Sequence, residues 1–141
     1  MHIRRVGFVG VRTADFDAMT GFVRDVLGLP ATHLDGGWGV FSLESGERDF
    51  VEVYRPGEYD ERLLPAAASG PTVAFVVDDL VAARAELLAA GIEIVADIAW
   101  AADLFSTSPD DGYGWLFFRA PDGNVYALQQ ERTPVDLPRE S

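Results

Sequence analysis

The apolar run after two charged positions in residues 3–11, Ile3-Arg4-Arg5-Val6-Gly7-Phe8-Val9-Gly10-Val11, is rich in β-branched and aromatic residues, which predicts a strand. Asp15 then stands where a helix cap belongs, and Phe16, Met19, Val23, Val26 and Leu27 recur at spacings of three and four, the stripe of an amphipathic helix. Gly28 suits the left-handed stop after that helix, and Pro30 prevents its return. Three strand-like pieces follow, 31–34, 38–43 and 49–54, with turns at Gly36-Gly37 and Ser45-Gly46.

A polar connector opens at Arg55-Pro56-Gly57 and closes at Ala66-Ala67-Ala68-Ser69-Gly70, after which the pattern starts again. Residues 71–77 read as a strand. Asp78-Asp79 caps a helix over 80–90 with Leu80, Leu87 and Leu88 inward, and Gly91 ends it. A strand over 92–98 and a Ser/Asp/Pro-rich loop over 101–112 come next. Residues 113–119 and 124–130 form a hairpin across Ala120-Pro121-Asp122-Gly123. Val6-Gly7-Phe8-Val9 matches Val73-Ala74-Phe75-Val76, 67 residues later, so the order strand-helix-strand-strand-strand occurs twice. The expected organisation is a first module over 1–55, a connector over 56–70, a second module over 71–130 and a polar tail over 131–141. The expected class is α+β: two βαβββ modules forming a curved mixed sheet, with helices on the convex face and a concave face free to take a ligand.

Composition narrows the function. With 141 residues the chain buries about two-thirds of its surface on folding and needs no staples. It has no cysteine, which excludes a disulfide framework, a thiolate metal site and a cysteine nucleophile. Twenty-three acids face eleven bases, all Arg, for a net charge of −12. That field repels nucleic acid and anionic membranes and attracts organic cations. No apolar run approaches the roughly 20 residues of a membrane span, and Met1-His2-Ile3-Arg4-Arg5 leads straight into a strand, so a cytoplasmic protein is expected.

The stretch Phe117-Phe118-Arg119-Ala120-Pro121-Asp122-Gly123-Asn124-Val125-Tyr126 resembles the closing hairpin, F-x-D-P-D-G-N, of the vicinal oxygen chelate superfamily. This superfamily includes glyoxalases, extradiol dioxygenases, methylmalonyl-CoA epimerases and bleomycin-binding resistance proteins. Phe22-Val23-Arg24-Asp25-Val26-Leu27-Gly28-Leu29 and Val73-Ala74-Phe75-Val76-Val77-Asp78-Asp79-Leu80 extend the resemblance to about residues 3–130. The departure is Ala120 for the usual Asp, in the turn. The resemblance implies a metal site with one ligand from each of four strands, and residue by residue these positions fall on Arg5, Glu52, Thr72 and Ala127. Only Glu52 keeps a ligand type; Arg5 is a permanent cation, and Ala127 offers no donor. Neither His2 nor His33 lies at a ligand position.

The expectation is therefore a metal-independent, cofactor-free protein that binds a small aromatic or cationic molecule, an antibiotic or another natural product, as the drug-sequestering members of the superfamily do. Its ligand-binding candidates are Arg5, Trp38, Phe50, Glu52, Tyr54, Thr72, Trp100, Trp115, Phe117 and Ala127. Alternation places Arg5, Gly7 and Val9 on one face, and Phe50, Glu52 and Tyr54 together; Trp115 and Phe117 share a face. Arg5 and Glu52 are expected to pair where the family's metal would sit. The alternative is an enzyme, a lyase, isomerase or dioxygenase-like member, with Glu52 as base and Arg5 as anion anchor. The resemblance also implies a homodimer. The loop acids Asp103, Asp110 and Asp111, with Ser106, Thr107 and Ser108, are read either as a ligand lid or as a solvated loop.

Overall fold

The computed structural model describes residues 1–43, 49–105 and 112–131. The Ser45-Gly46 turn, residues 106–111 of the 101–112 loop and the polar tail beyond Glu131 lie outside them. Two compact units account for the chain: Val6–Val73, and Met1–Arg5 together with the chain from Ala74 onward.

In the Val6–Val73 unit the strands are β1 (Ile3–Arg12, which begins in the other unit), β2 (Ala31–Leu34), β3 (Trp38–Ser42) and β4 (Phe50–Tyr54). They lie in the order β2-β3-β4-β1, antiparallel except for the β1–β4 pair, which is parallel. Helix α1 (Phe16–Gly21) covers one face. Phe16 and Val23 bury against Phe41 and Val53, with Val11, Met19, Leu29 and Val51 around them. The sequence stripe does not run to its end, because the helix widens over 22–26, where Leu27 N–H reaches back five residues to the Phe22 carbonyl. The wider turn carries Val26 (71% exposed) and Leu27 off the core face. Asp15 precedes α1 but makes no side-chain cap, whereas Gly28 does take the left-handed conformation, at φ +74°.

The second unit repeats this order: β5 (Thr72–Val77, which begins in the first unit), α2 (Leu80–Ala89), β6 (Glu93–Trp100), β7 (Gly114–Arg119) and β8 (Val125–Gln130), arranged β5-β8-β7-β6 with β5 and β8 parallel. Asp79 Oδ1 caps α2 by accepting from Ala82 N–H at 3.0 Å, and buried Gln130 supplies a second cap, its Oε1 accepting from Leu80 N–H at 2.8 Å. Leu80, Ala83 and Leu87 of α2 pack on Val77, Leu116 and Leu128. Leu88, expected inward, is half exposed, and Ala83 takes its place one turn before Leu87. Residues Ala101–Leu104, expected as loop, form a single helical turn, α3.

The connector is more than a solvated strap. Leu63, Leu64 and Ala68 are buried, and Arg12 at the end of β1 binds this segment through Tyr59 Oη at 2.7 Å and the carbonyls of Pro65, Ala66 and Ala68. Its start lies against the β2–β3 turn: Arg55 N–H donates to the Gly37 carbonyl at 2.8 Å, and Arg55 Nε to that of Gly36 at 2.7 Å. A Cβ on Gly37 would sit 1.7 Å from the Glu58 carbonyl oxygen, while one on Gly36 would meet nothing within 4 Å. Gly37→Ala is therefore expected to destabilise the fold by about 1–3 kcal/mol, since backbone must move, with Gly36→Ala several-fold milder. Urea denaturation of the two variants checks this.

Candidate functional site

The face of the β1–β4 sheet opposite α1 gathers unlike chemistry. Parallel register sets Gly10 across from Glu52 and Phe8 across from Phe50, while antiparallel register sets Trp38 across from Tyr54. Val51 and Val53 point to α1, so Phe50, Glu52 and Tyr54 point away. Val11 also packs toward α1, which puts Gly10 and Phe8 on the face of Glu52 and leaves Arg5 in the odd series with Val9 and Val11. The small residue beside Glu52 is thus Gly10, and Gly7, in the series of Arg5 and Val9, lies on the other face. The two glycines are an odd number of residues apart, so they lie on opposite faces of the strand.

Glu52 is 7% exposed. Tyr54 Oη donates to its Oε1 at 2.5 Å and Trp38 Nε1 to the same oxygen at 3.2 Å. Among the described residues Oε2 takes no hydrogen bond. Burial pushes the Glu52 carboxyl above its ordinary value of 4.5, against the smaller downward pull of the Tyr54 and Trp38 hydrogen bonds. Rings surround the pair: Trp38 and Tyr54 stack with centroids 6.4 Å apart, Tyr59 lies 4.8 Å from Tyr54, and His33 lies 4.6 Å from Trp38. A buried acid among aromatic rings, one oxygen held and the other open, acts as a hydrogen-bond donor when neutral and as a base when ionised.

The expected Arg5–Glu52 pair is replaced by other partners: Arg5 Nη2 donates to Glu131. Thr72 is buried at the start of β5. Trp100 packs into the α2 core, its ring over Gly114, where a Cβ would lie 2.4 Å from the Trp100 Cε3. Trp115, Phe117 and Ala127 are buried on the face of the β5–β8 sheet away from α2, because Leu116 and Leu128 point toward it. Gln129 and Tyr113, not among the sequence candidates, belong beside them: Gln129 Nε2 donates to Tyr113 Oη at 3.1 Å. Among the described residues no three His, Cys, Asp or Glu side chains gather as a metal centre requires. The lid residues 106–111 lie outside the described residues; Asp103 is exposed on α3.

A family model described as Glyoxalase/Bleomycin resistance protein/Dioxygenase superfamily matches residues 5–128. Among solved structures, the chain is similar to a Mn(II)-bound glyoxalase from Novosphingobium aromaticivorans, with 23% identity and TM-score 0.67 over 97% of this chain and 43% of that one. It thus spans less than half of that glyoxalase. It is also similar to methylmalonyl-CoA epimerase from Mycobacterium tuberculosis, with 18% identity and TM-score 0.64 over 94% of this chain and 91% of that one. The Streptomyces coelicolor epimerase, in complex with 2-nitronate-propionyl-CoA, gives 18% identity and TM-score 0.63 over 92% and 99%. No curated protein matches the chain. At these identities the structural likeness speaks for the fold.

The raised Glu52 sets a pH dependence. Between the ordinary carboxylate value and the higher folded one, the folded state holds a proton that the unfolded state has released, so stability falls as pH rises through that window. Glu52→Gln is expected to abolish this slope, at most about 1.4 kcal/mol per pH unit. Thermal denaturation of both proteins from pH 5 to 8 measures it.

Proposed function

The chain belongs to the Glyoxalase/Bleomycin resistance protein/Dioxygenase superfamily, and on that premise we propose that it is a metal-independent protein binding a planar aromatic or cationic organic molecule, an antibiotic or another natural product. The observation that carries this reading is Glu52 held by Tyr54 and Trp38 among aromatic rings. The two side chains that reach this carboxylate, a phenol and an indole, are hydrogen-bond donors to it, and among the described residues no cluster of three His, Cys, Asp or Glu completes a metal site around it. At the family's other ligand positions stand Arg5, Thr72 and Ala127, a set that fits a divalent cation poorly. The same groups suit an organic ligand: ring faces for stacking or a cation, and one polar anchor for orientation. The net charge of −12 adds a long-range pull on cations.

A second reading, an enzyme of the same superfamily, is favoured by one feature. Glu52 Oε2 is free of hydrogen bonds among the described residues, and burial brings its carboxyl toward the range where a general base works. In that reading Oε2 takes a proton from the bound molecule while Tyr54 steadies Oε1. Turnover without a bound organic ligand at equilibrium would favour it.

In a thermal-shift screen, planar aromatic amines are expected to raise Tm while EDTA and divalent metals leave it unchanged; a fall with EDTA would contradict the proposal. Trp38→Ala removes one ring and one donor, and is expected to weaken the best ligand about tenfold or more, on the order of 1–3 kcal/mol. Fluorescence titration reads it. The proposal includes a homodimer, as the superfamily resemblance implies, and β2 leaves an exposed edge that a second copy would cover. Light scattering at micromolar concentration is expected to give twice the chain mass.

A further inference from the structure

The outward face of α2 carries no charge. Leu80, Ala83 and Leu87 share the side that packs on Val77, Leu116 and Leu128. At about 100° per residue, Val81, Ala82, Ala85, Leu88 and Ala89 all fall on the opposite side, within about 60° of Ala85. These five are exposed, Val81 by 59% and Leu88 by 48%. A surface helix ordinarily sets polar residues there, and a helix that is apolar all round is ordinarily covered all round.

Charge decides what covers it. The charged residues of α2 are Arg84 and Glu86, one on each border of the apolar face, and both are engaged within the chain. Arg84 makes a fork to Asp97, Nε to Oδ1 and Nη2 to Oδ2, both at 2.7 Å, and Glu86 Oε1 accepts from the Met1 amine at 2.6 Å. Each border is therefore locally neutral. Nucleic acid and anionic membranes are repelled by the net charge of −12, and a basic partner finds the bordering carboxylates of Asp97 and Glu86 already paired. An apolar face with neutral borders suits its own copy. In an antiparallel pair about a two-fold axis at Ala85, Ala85 faces Ala85, Val81 meets Leu88 of the second copy on one side of the axis, and Ala82 meets Ala89 on the other. The larger side chains then gather together, and the alanines let the helices come close.

We propose that α2 packs antiparallel on α2 of a second copy of this chain, with Ala85 on the two-fold axis. A ten-residue helix is about 15 Å long, so the contact covers less than the roughly 800 Å² per partner of a standard interface, and the association is weak. The contact lies in the unit that does not hold β2, so it goes beyond the β2 edge pairing and stands or falls without it.

Ala85 is exposed, so Ala85→Glu and Ala85→Lys are expected to keep the Tm of the unmodified protein. Each variant sets like charges against one another across the axis, and a one-to-one mixture of the two sets unlike charges together. Sedimentation equilibrium follows the mass from about 10 μM to about 1 mM chain. The mass of the unmodified protein is expected to rise along this series. Each variant alone is expected to weaken the association at least tenfold, and the mixture to recover it. Loss in the variants without recovery in the mixture overturns the proposal, as does a mass that is the same in all three proteins. In that last case a mass of two chains leaves the β2 edge dimer standing, and a mass of one chain ends that dimer as well.

Discussion

The parallel register of β1 against β4 places Gly10 opposite Glu52, and the arrangement of the candidate site follows from it. A Cβ at Gly10 would stand 3.2 Å from the Tyr54 ring, so glycine lets that ring lie close and bring its hydroxyl to Glu52. The antiparallel register of β3 against β4 brings Trp38 alongside, and its indole donates to the same oxygen. Two ladders thus deliver two donors to one carboxylate atom. Burial disfavours the charged form of that carboxyl more than the two donors favour it, which is the direction in which Glu52 moves.

The fold is shared with a Mn(II)-bound glyoxalase and with epimerases at 18–23% identity, a likeness that speaks for the backbone. The backbone is retained and the chemistry resides in the side chains set on it. In the Val6–Val73 unit the distinctive group is an acid with donors around it, buried among rings, which is how sites for organic molecules are commonly built.

The α2 helix was legible because its signals are local: Asp79 caps it, and Gly91 ends it at φ +76°. The duplication was legible for a similar reason, and β1 and β5 do open corresponding strand orders. The end of α1 was not, since a widened turn at Phe22–Val26 leaves no signature in a three-and-four spacing. Nor was the face of Arg5: alternation says which residues share a side, while the pairing with β4 says which side Glu52 occupies. Leu63 and Leu64 in the connector were apolar signals hidden by their charged neighbours. Gln129 could be placed on the face of Ala127 by counting, but its bond to Tyr113 is visible only once every neighbour has a position.

The most direct measurement is a titration of the protein with Mn(II), watching the Trp38 indole N–H. That nitrogen lies 3.2 Å from Glu52 Oε1, so a paramagnetic ion held by Glu52 would broaden its signal beyond detection. If Glu52 serves as an organic anchor among aromatic rings, the Trp38 signal persists at one equivalent of Mn(II). Selective loss of that signal at one equivalent would mean that Glu52 is a metal ligand.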